Sequence, residues 1–178
     1  ARVFEARDEG GARAIVKVFE NARSAAEREA SALATLDHPA IPRLLAQGRE
    51  PDWIAVSFAE GEPLGRLDAA EAPLVLAQLL GALSHAHGRG LVHGDLRPQN
   101  VLLRGLPGEP RVTLVDFGFA GRLERSLDAG ISGTPAYLAP ERVAGGPPRV
   151  ASDLVACGAG ILEALLGEEA LASPEASA

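Results

Sequence analysis

The densest polar chemistry of the chain lies in one stretch, His93-Gly94-Asp95-Leu96-Arg97-Pro98-Gln99-Asn100. The apolar triplet Val101-Leu102-Leu103 follows directly, which predicts a polar loop that leads into a strand. The carboxylate of Asp95 could accept a proton from a hydroxyl group, and the amide oxygen of Asn100 could bind a hard cation. Taken alone, the two residues fit a catalytic loop and an ordinary polar surface loop equally well.

The composition is typical of a globular protein, with 47% apolar and 23% charged residues. The 178 residues suffice for one domain with two lobes. A net charge of −7 without a basic stripe argues against nucleic acid as a partner. No run of 18 apolar residues occurs, so we expect no membrane contact from this chain. The single cysteine, Cys157, cannot form an internal disulfide, which fits a cytoplasmic location. It lies in an apolar run, which favours a buried inert thiol.

Lys17 is the only lysine, against sixteen arginines. This usage indicates that position 17 needs a compact ammonium instead of a planar guanidinium, unless it is an accident of composition. Residues 3–7 and 14–19 read as two strands, and the turn-forming residues 8–11 between them predict a hairpin. Lys17 would therefore lie on a strand, with its charged end facing a cleft.

A helix is predicted over residues 24–36, with Ser24 and Glu27 as a capping box at its start. Glu29 falls on the apolar face of this helix. A carboxylate on an inward face needs a partner, and Lys17 is the natural candidate. The alternative is a Glu29 at the edge of the apolar stripe, exposed to water.

The rest of the chain continues this mixed pattern. Strands are predicted from residue 44 and at 53–58, 101–103 and 112–115, and helices at 73–87 and 153–166. The buried stripe of helix 73–87 is expected to be Leu76, Leu79, Leu80 and Leu83. Because the connector 59–63 is rich in helix- and strand-breaking residues, we expect an N-terminal lobe at 1–56, a hinge at 57–63 and a C-terminal lobe at 64–178.

The chemistry-bearing residues follow one order along the chain: Lys17 on a strand, Glu29 on a helix, His93-x-Asp95-x-x-x-x-Asn100, Asp116-Phe117-Gly118 and Ala139-Pro140-Glu141. This order resembles the eukaryotic-like (Hanks-type) protein kinases, and the resemblance runs from residue 3 to about 166. Pro98 and the segment Gly133-Thr134-Pro135 resemble the Ser/Thr branch. The resemblance implies an α+β, bilobal fold, in which a small antiparallel sheet with one helix faces a mainly α-helical lobe.

The resemblance also implies ATP-dependent transfer of a phosphoryl group to Ser or Thr hydroxyls of a protein substrate, with Mg²⁺ as the metal. Asp95 would orient and deprotonate the hydroxyl. Lys17 would hold the α- and β-phosphates of ATP, steadied by Glu29. Asn100 and Asp116 would bind Mg²⁺.

Further residues take roles by the same resemblance. Arg97 replaces a Lys that usually contacts the transferred phosphate, and Thr134 would help to fix the catalytic loop. Val56 resembles the gatekeeper residue. The backbone of Ser57, Phe58 and Ala59 would bind adenine, while Val3, Ile15 and Leu102 would pack on its faces. Leu33, His93 and Phe117 fall on positions of the apolar spine that links the lobes.

The chain departs from the family pattern in several places. Gly94 replaces an Arg that usually receives a phosphate, which makes switching by phosphorylation of Ser126, Ser132 or Thr134 less expected. Ile15 is bulkier than the usual Ala. The helix 153–166 is apolar almost all round, so we expect it to be covered by self-association or by a missing C-terminal segment. Ala1 falls at the last glycine of the Gly-rich loop. We therefore expect a domain truncated at both ends, with poor activity in the 178-residue chain itself.

Two alternatives stay open at the level of sequence. A catalytically weak pseudokinase could act as a scaffold or nucleotide-binding module, although every catalytic position is filled. A small-molecule kinase of related fold could carry His-Gly-Asp, although the Ala139-Pro140-Glu141 triplet belongs to peptide recognition. The Arg-, Ala- and Gly-rich composition suggests a bacterial source.

Overall fold

A computed structural model describes residues 1–20, 22–106, 108–122, 135–167 and 169–172. Its first part is a four-stranded antiparallel sheet with one helix, and its second part is mainly helical. This is the α+β, two-lobed arrangement that was predicted from the sequence. One continuous apolar cluster, which includes Leu33 and Phe117, runs through both parts.

The sheet of the first part holds Lys17 in a central strand. Its strands are β1 (Arg2–Arg7), β2 (Arg13–Phe19), β3 (Leu44–Gly48) and β4 (Asp52–Ser57), in the spatial order β1-β2-β4-β3. Lys17 pairs with Val3 on one side and with Ile54 on the other. Because β2 is hydrogen-bonded along both edges, the position of the lysine backbone is fixed by the sheet.

The helix of the first part, α1 (Arg23–Leu33), differs at both ends from the prediction of 24–36. The predicted capping box is wrong: Ala22 is the N-cap and makes no side-chain capping bond. Glu27 instead pairs with Arg23 at 2.8 Å, because the helix starts early enough to place the two one turn apart. At the other end the Thr35 hydroxyl donates to the Ala32 carbonyl, and the backbone closes in tight turns.

The second part contains four helices within the described residues: α2 (Ala72–His87), α3 (Pro140–Val143), α4 (Val150–Leu166) and α5 (Glu169–Ala172). Short strands accompany them: β5 (Glu62–Pro63), β6 (Leu91–Val92), β7 (Val101–Arg104), β8 (Arg111–Leu114) and β9 (Gly121–Arg122). Strands β7 and β8 form the expected hairpin, with Val101 opposite Leu114. The N–H of Val115 also donates to the carbonyl of Asn100 at 2.9 Å. The hairpin therefore brings Asn100 close to Asp116, which follows β8.

The buried stripe of α2 is only partly the predicted one. Leu79 and Leu83 are buried, but Leu80 is 38% exposed and Leu76 is half-buried. The inward residues are Ala72, Val75, Leu79, Ala82, Leu83 and Ala86. Helix α4 and strand β8 pack against this face, which combines small alanines with Val75, Leu79 and Leu83, while Leu80 turns outward.

Helix α4 buries one face and leaves the other open. Ser152, Asp153, Ala156, Cys157, Gly160, Ile161 and Ala164 are buried. Leu154, Val155, Leu162 and Leu166 are exposed large apolar residues on the outer side. The described residues leave this outer side open, and its cover by self-association or by a further segment stays a prediction. Among the described helices, none is long and apolar enough to cross a membrane.

Cys157 lies on the buried face of α4, as its apolar surroundings in the sequence predicted. Burial, aided by the negative charge of Asp153, raises the pKa of its thiol to about 11. Thiolate is therefore scarce at pH 8. We expect no labelling by a thiol-reactive disulfide reagent in the folded protein, and one label per chain after unfolding in guanidinium. Fast labelling under native conditions would contradict this burial.

Candidate active site

Three charged side chains from distant parts of the chain meet at Lys17. Its Nζ donates to Oε1 of Glu29 at 2.6 Å and to Oδ1 of Asp116 at 3.0 Å. Glu29 comes from the inward face of α1, and Asp116 follows β8 with a left-handed φ of 68°. The prediction that Glu29 pairs with the only lysine is confirmed, and the exposed alternative is wrong.

This cluster contains two carboxylates for one ammonium. Burial lowers the pKa of Lys17, but the attraction of Glu29 and Asp116 outweighs burial, so the pKa is raised. Burial raises the pKa of Glu29, whose side chain is 3% exposed, and Lys17 compensates only in part. Burial also opposes charge on Asp116, but there Lys17 prevails and the pKa is lowered. The side chain of Asp116 is 39% exposed. The cluster therefore presents an ionised, accessible carboxylate, which is the form that binds a cation.

Asn100 connects this cluster to Asp95. The Nδ2 amide of Asn100 donates to the carbonyl oxygen of Asp95 at 2.8 Å and to its Oδ2 at 3.3 Å. Since both bonds use the amide nitrogen, Oδ1 of Asn100 is the atom that a cation could use. Nε of Arg97 lies 3.7 Å from Oδ2 of Asp95, so the guanidinium stands beside this carboxylate.

His93 ties the start of the loop to the end of β8. Its Nδ1 accepts the backbone N–H of Asp95 at 3.3 Å, and its Nε2 lies 3.1 Å from the carbonyl oxygen of Val115. These partners assign the ring hydrogen to Nε2, since a carbonyl can only accept. The ring is buried and meets Phe117 edge-on at 4.8 Å between centroids. Together with Leu33, which is also buried, His93 and Phe117 occupy the interior between the two parts, as the spine prediction expects.

Asp153 anchors the same loop from α4. Its Oδ2 accepts the backbone N–H of His93 at 2.8 Å, and its Oδ1 accepts that of Gly94 at 2.9 Å. Oδ2 also lies 2.8 Å from Nε2 of His87, in the last turn of α2. The carboxylate is 1% exposed. One buried side chain, that of Asp153, therefore fixes the two backbone amides that precede Asp95.

The sequence did not single out Asp153 or His87 as functional residues. In the sequence analysis, Asp153 was only the first residue of an apolar helix and His87 only the last residue of helix 73–87. The available signal was an acid in the first turn of a helix expected to be buried, because a buried carboxylate needs several donors. That signal predicts that the carboxylate has hydrogen-bond donors, but it does not identify them. One of the donors is a backbone amide 60 residues away, which no local sequence pattern indicates.

A cavity of about 270 Å³ opens beside Lys17 between the two parts. Every residue predicted to bind the nucleotide, except Phe58, lines this cavity, as does Asn100. Its walls are Val3, Ile15, Lys17, Glu29, Leu33, Pro42, Val56, Ser57, Ala59, Asn100, Leu102, Val115, Asp116 and Phe117. One end is therefore apolar and suits a flat ring, while the other end carries the charged groups and suits phosphates.

Phe58 turns away from the cavity. Its ring packs under the guanidinium of Arg13, with 3.5 Å from Cζ to the ring centroid. Its N–H donates to the Arg13 carbonyl at 3.4 Å, and the N–H of Ser57 donates to the Arg43 carbonyl at 2.9 Å. Two of the three predicted hinge amides thus bond within the protein.

The segment after Ala139 is held to α4. Ser152 donates its hydroxyl to Oε1 of Glu141 at 2.6 Å, and this bond lowers the pKa of Glu141. Glu141 therefore has its partner on α4. Tyr137 likewise donates its hydroxyl to Glu163. Thr134, predicted to help fix the catalytic loop, lies outside the described residues, as do Ser126 and Ser132.

The backbone conformation at Gly94 favours glycine at this position of the motif. Its φ of +79° is left-handed, and an added Cβ would lie 3.0 Å from the carbonyl oxygen of Phe119. We expect Gly94→Ala to lower the free energy of unfolding by about 1–2 kcal/mol, measured by urea titration. Gly158→Ala is the matched control, since an added Cβ there meets no atom within 4 Å. Equal stability of Gly94→Ala and the wild type would contradict this explanation.

The donor atoms present fit ATP and a divalent cation. Asp116 and Asn100 line the same cavity and offer a carboxylate and an amide oxygen. Mg²⁺ is usually bound by one or two carboxylates together with substrate phosphates, and Lys17 supplies the ammonium that phosphates require.

Comparison with known proteins agrees with this geometry. The family model described as Protein kinase domain matches residues 1–178. Serine/threonine-protein kinase pkn3 of Myxococcus xanthus is 34% identical over 160 residues, which cover 79% of this chain and 29% of that protein. The DNA damage-responsive serine/threonine-protein kinase RqkA of Deinococcus radiodurans is 40% identical over 156 residues, covering 79% of this chain and 23% of that protein.

Serine/threonine-protein kinase PrkC of Bacillus subtilis is 34% identical over 152 residues, covering 79% of this chain and 23% of that protein. The chain thus spans less than a third of the length of each of these curated relatives. The order of motifs, the two-lobed fold, the cluster at Lys17 and the family match all agree, and the chain belongs to the protein kinase domain family, within its Hanks-type serine/threonine branch.

Proposed function

We propose that this domain transfers the γ-phosphoryl group of ATP to Ser or Thr hydroxyls of protein substrates. The observation that carries the proposal is the pairing of Lys17 with both Glu29 and Asp116 at one end of an apolar cavity. Asn100 lines that cavity and also bonds to Asp95, so the cation-binding end and the candidate base are adjacent. Phosphoryl transfer needs mainly positioning and positive charge on phosphate oxygens, and these residues provide both.

Each residue has a distinct part in this proposal. Lys17 holds the α- and β-phosphate oxygens, and Glu29 keeps the ammonium in place from a buried position. Asp116 and Asn100 hold Mg²⁺, which when bound neutralises phosphate charge. Asp95 orients the substrate hydroxyl and accepts its proton as the oxygen attacks. Arg97, beside Asp95, adds positive charge where the transferred group passes.

The apolar residues of the cavity set the position of the nucleotide. Val3, Ile15 and Leu102 would enclose the adenine ring, with Val56 at the back of the cavity. The larger Ile15 narrows this space, so we propose a weaker affinity for ATP than a smaller residue would allow. The variant Ile15→Ala should have a lower dissociation constant for ATP than the wild type. An unchanged dissociation constant would contradict a steric role for Ile15.

Phosphate transfer from radiolabelled ATP tests the function. The longest natural chain that contains residues 1–178 is incubated with Mg²⁺, labelled ATP and a generic Ser- and Thr-containing protein. We expect phosphoserine or phosphothreonine after acid hydrolysis. Incorporation no greater than in the absence of the kinase would overturn the proposal, and label on a small metabolite alone would favour a small-molecule kinase.

We further propose that the domain acts on cytoplasmic proteins, because its only cysteine is a buried free thiol. Cell fractionation followed by detection of the domain tests this location. Recovery of the domain on the outer side of the cell membrane would contradict it.

A further inference from the structure

We propose that the segment 37–40 forms a proton-sensitive contact with α2, which His38 and His85 maintain only while both rings are neutral. The segment lies between α1 and β3 in the chain. The backbone N–H of Asp37 donates to Nε2 of His85 at 3.2 Å, and that of Ala40 donates to Nδ1 of His38 at 3.2 Å. The centroids of the two rings are 5.2 Å apart. Two backbone amides of one short segment therefore depend on two neighbouring imidazoles.

These partners decide where each neutral ring carries its hydrogen. A backbone N–H can only donate, so the ring nitrogen that faces it carries no hydrogen. Neutral His85 therefore has its hydrogen on Nδ1, and neutral His38 has its hydrogen on Nε2. An imidazolium has a hydrogen on both nitrogens, so protonation of either ring leaves one N–H facing another. The event that charges a ring thus also breaks its bond to the segment.

The charged groups around His85 oppose its protonation in the folded protein. Nη1 of Arg89 lies 3.2 Å from Nδ1 of His85, and a charged His38 would be a second cation beside the ring. The Asp37 carboxylate acts in the other direction, but Nη2 of Arg43 lies 3.6 Å from it. Burial, then Arg89 and then His38 lower the pKa of His85 from its ordinary value of 6.5. The contact therefore stabilises the fold fully above pH 6.5, and this stabilisation is lost as the pH falls through the lower pKa of the folded state.

The segment lies where a loss of contact reaches the nucleotide cavity. Leu36 and Ile41, on either side of it, are buried in the apolar cluster that runs through both parts of the domain. Glu29 lies one turn before the end of α1 and holds Lys17. When both imidazole bonds are lost, the end of α1 is held less firmly, and the Glu29 carboxylate moves with the helix. Weaker ATP binding at low pH is the consequence that rests on the proposed function.

Variants that keep the two acceptors but cannot take up a proton test the proposal. His85→Gln places an amide oxygen as many bonds from Cα as Nε2 is, and His38→Asn does the same for Nδ1. Melting temperatures are measured without nucleotide on the longest natural chain that contains residues 1–178. From pH 7.5 to pH 5.5, we expect the wild type to lose about 2–5 °C more than the double variant, because two hydrogen bonds are lost. Equal losses would overturn the proposal.

The ring hydrogens give a readout that needs neither a substitution nor activity. Wild-type protein labelled with nitrogen-15 reports by NMR which nitrogen of each neutral ring carries the hydrogen. At pH 7.5 we expect Nδ1 of His85 and Nε2 of His38 to carry it, so the two rings are opposite tautomers. A hydrogen on Nε2 of His85, or on Nδ1 of His38, would overturn the proposal even if the variants failed to fold.

The effect on the nucleotide cavity is measured separately, as the dissociation constant of ATP with Mg²⁺ at the same two pH values. We expect this constant to rise on acidification by at least about fivefold more in the wild type than in the double variant. Protonation of ATP itself cancels, since both proteins meet the same nucleotide. Equal rises would overturn the link to the cavity. A wild type that binds no ATP at either pH, yet keeps the extra loss of melting temperature, would contradict the proposed function and support the proton-sensitive contact.

Discussion

Asp95→Asn is expected to lower kcat for phosphate transfer by about 10³-fold, the range for loss of a general base. The amide is nearly the same size as the carboxylate and can still accept the bond from Nδ2 of Asn100. The fold and the nucleotide cavity should therefore persist, since Asp95 does not line that cavity. The measurement is kcat from initial rates, paired with the thermal shift produced by ATP and Mg²⁺.

Measuring both kcat and the ATP-dependent thermal shift separates catalysis from nucleotide binding. An active kinase loses transfer in Asp95→Asn but keeps the ATP-dependent thermal shift. A pseudokinase that acts as a nucleotide-binding module shows the shift in both proteins and transfer in neither. Asp37→Asn makes the same chemical change at a side chain that is 84% exposed, and it should leave the rate unchanged. Equal rates for wild type and Asp95→Asn would exclude Asp95 as the base.

Lys17→Arg is expected to lower kcat/KM by about 10²-fold although the positive charge is kept. The ammonium is held at 2.6 Å from Glu29 and 3.0 Å from Asp116, and its side chain is only 14% exposed. A planar guanidinium is wider and would push one carboxylate away or enter the space for the phosphates. The measurement is kcat/KM for ATP at fixed protein substrate.

The control for this change is the reverse substitution, of an arginine by a lysine, at an exposed site. Arg23→Lys replaces one cation by the other at an exposed ion pair on α1, and we expect no change in rate. If Lys17→Arg kept full activity, the single lysine among sixteen arginines would be an accident of composition. Retained activity would also remove the argument that position 17 requires a compact cation.

Local patterns in the sequence predicted the parts of the site that are themselves local. The strand around Lys17 and the hairpin before Asp116 are short apolar runs bounded by turn-forming residues, so their type and place were correct. Glu29 was recognised as an inward carboxylate because helical spacing puts it beside apolar residues. Its partner followed from the fact that the chain holds only one lysine.

The errors arose where tertiary packing overrides local preference. Ser24 and Glu27 have the spacing of a capping box, but an earlier helix start gave Glu27 a partner in Arg23. Leu80 was expected to be buried because leucine is apolar, yet the inward face of α2 is formed by other residues, such as Leu79 and Leu83, and Leu80 lies outside it. The backbone of Phe58 was expected to bind adenine, which stays a prediction, while its ring is stacked with Arg13. Asp153 contacts His87 and His93, which lie 66 and 60 residues away in the chain, and one sequence does not reveal such contacts.

The anchoring of the loop by Asp153 has a consequence for the order in which the protein acquires its activity. Asp153 is 60 residues beyond His93 and 66 beyond His87 in the chain. During synthesis from the N-terminus, all of the residues of the nucleotide cavity are present before Asp153 has been added. Contacts of such separation must overcome the entropy of closing a long loop. The support of the catalytic loop is therefore the last of these contacts that the growing chain can form, after every residue of the cavity is in place in the sequence.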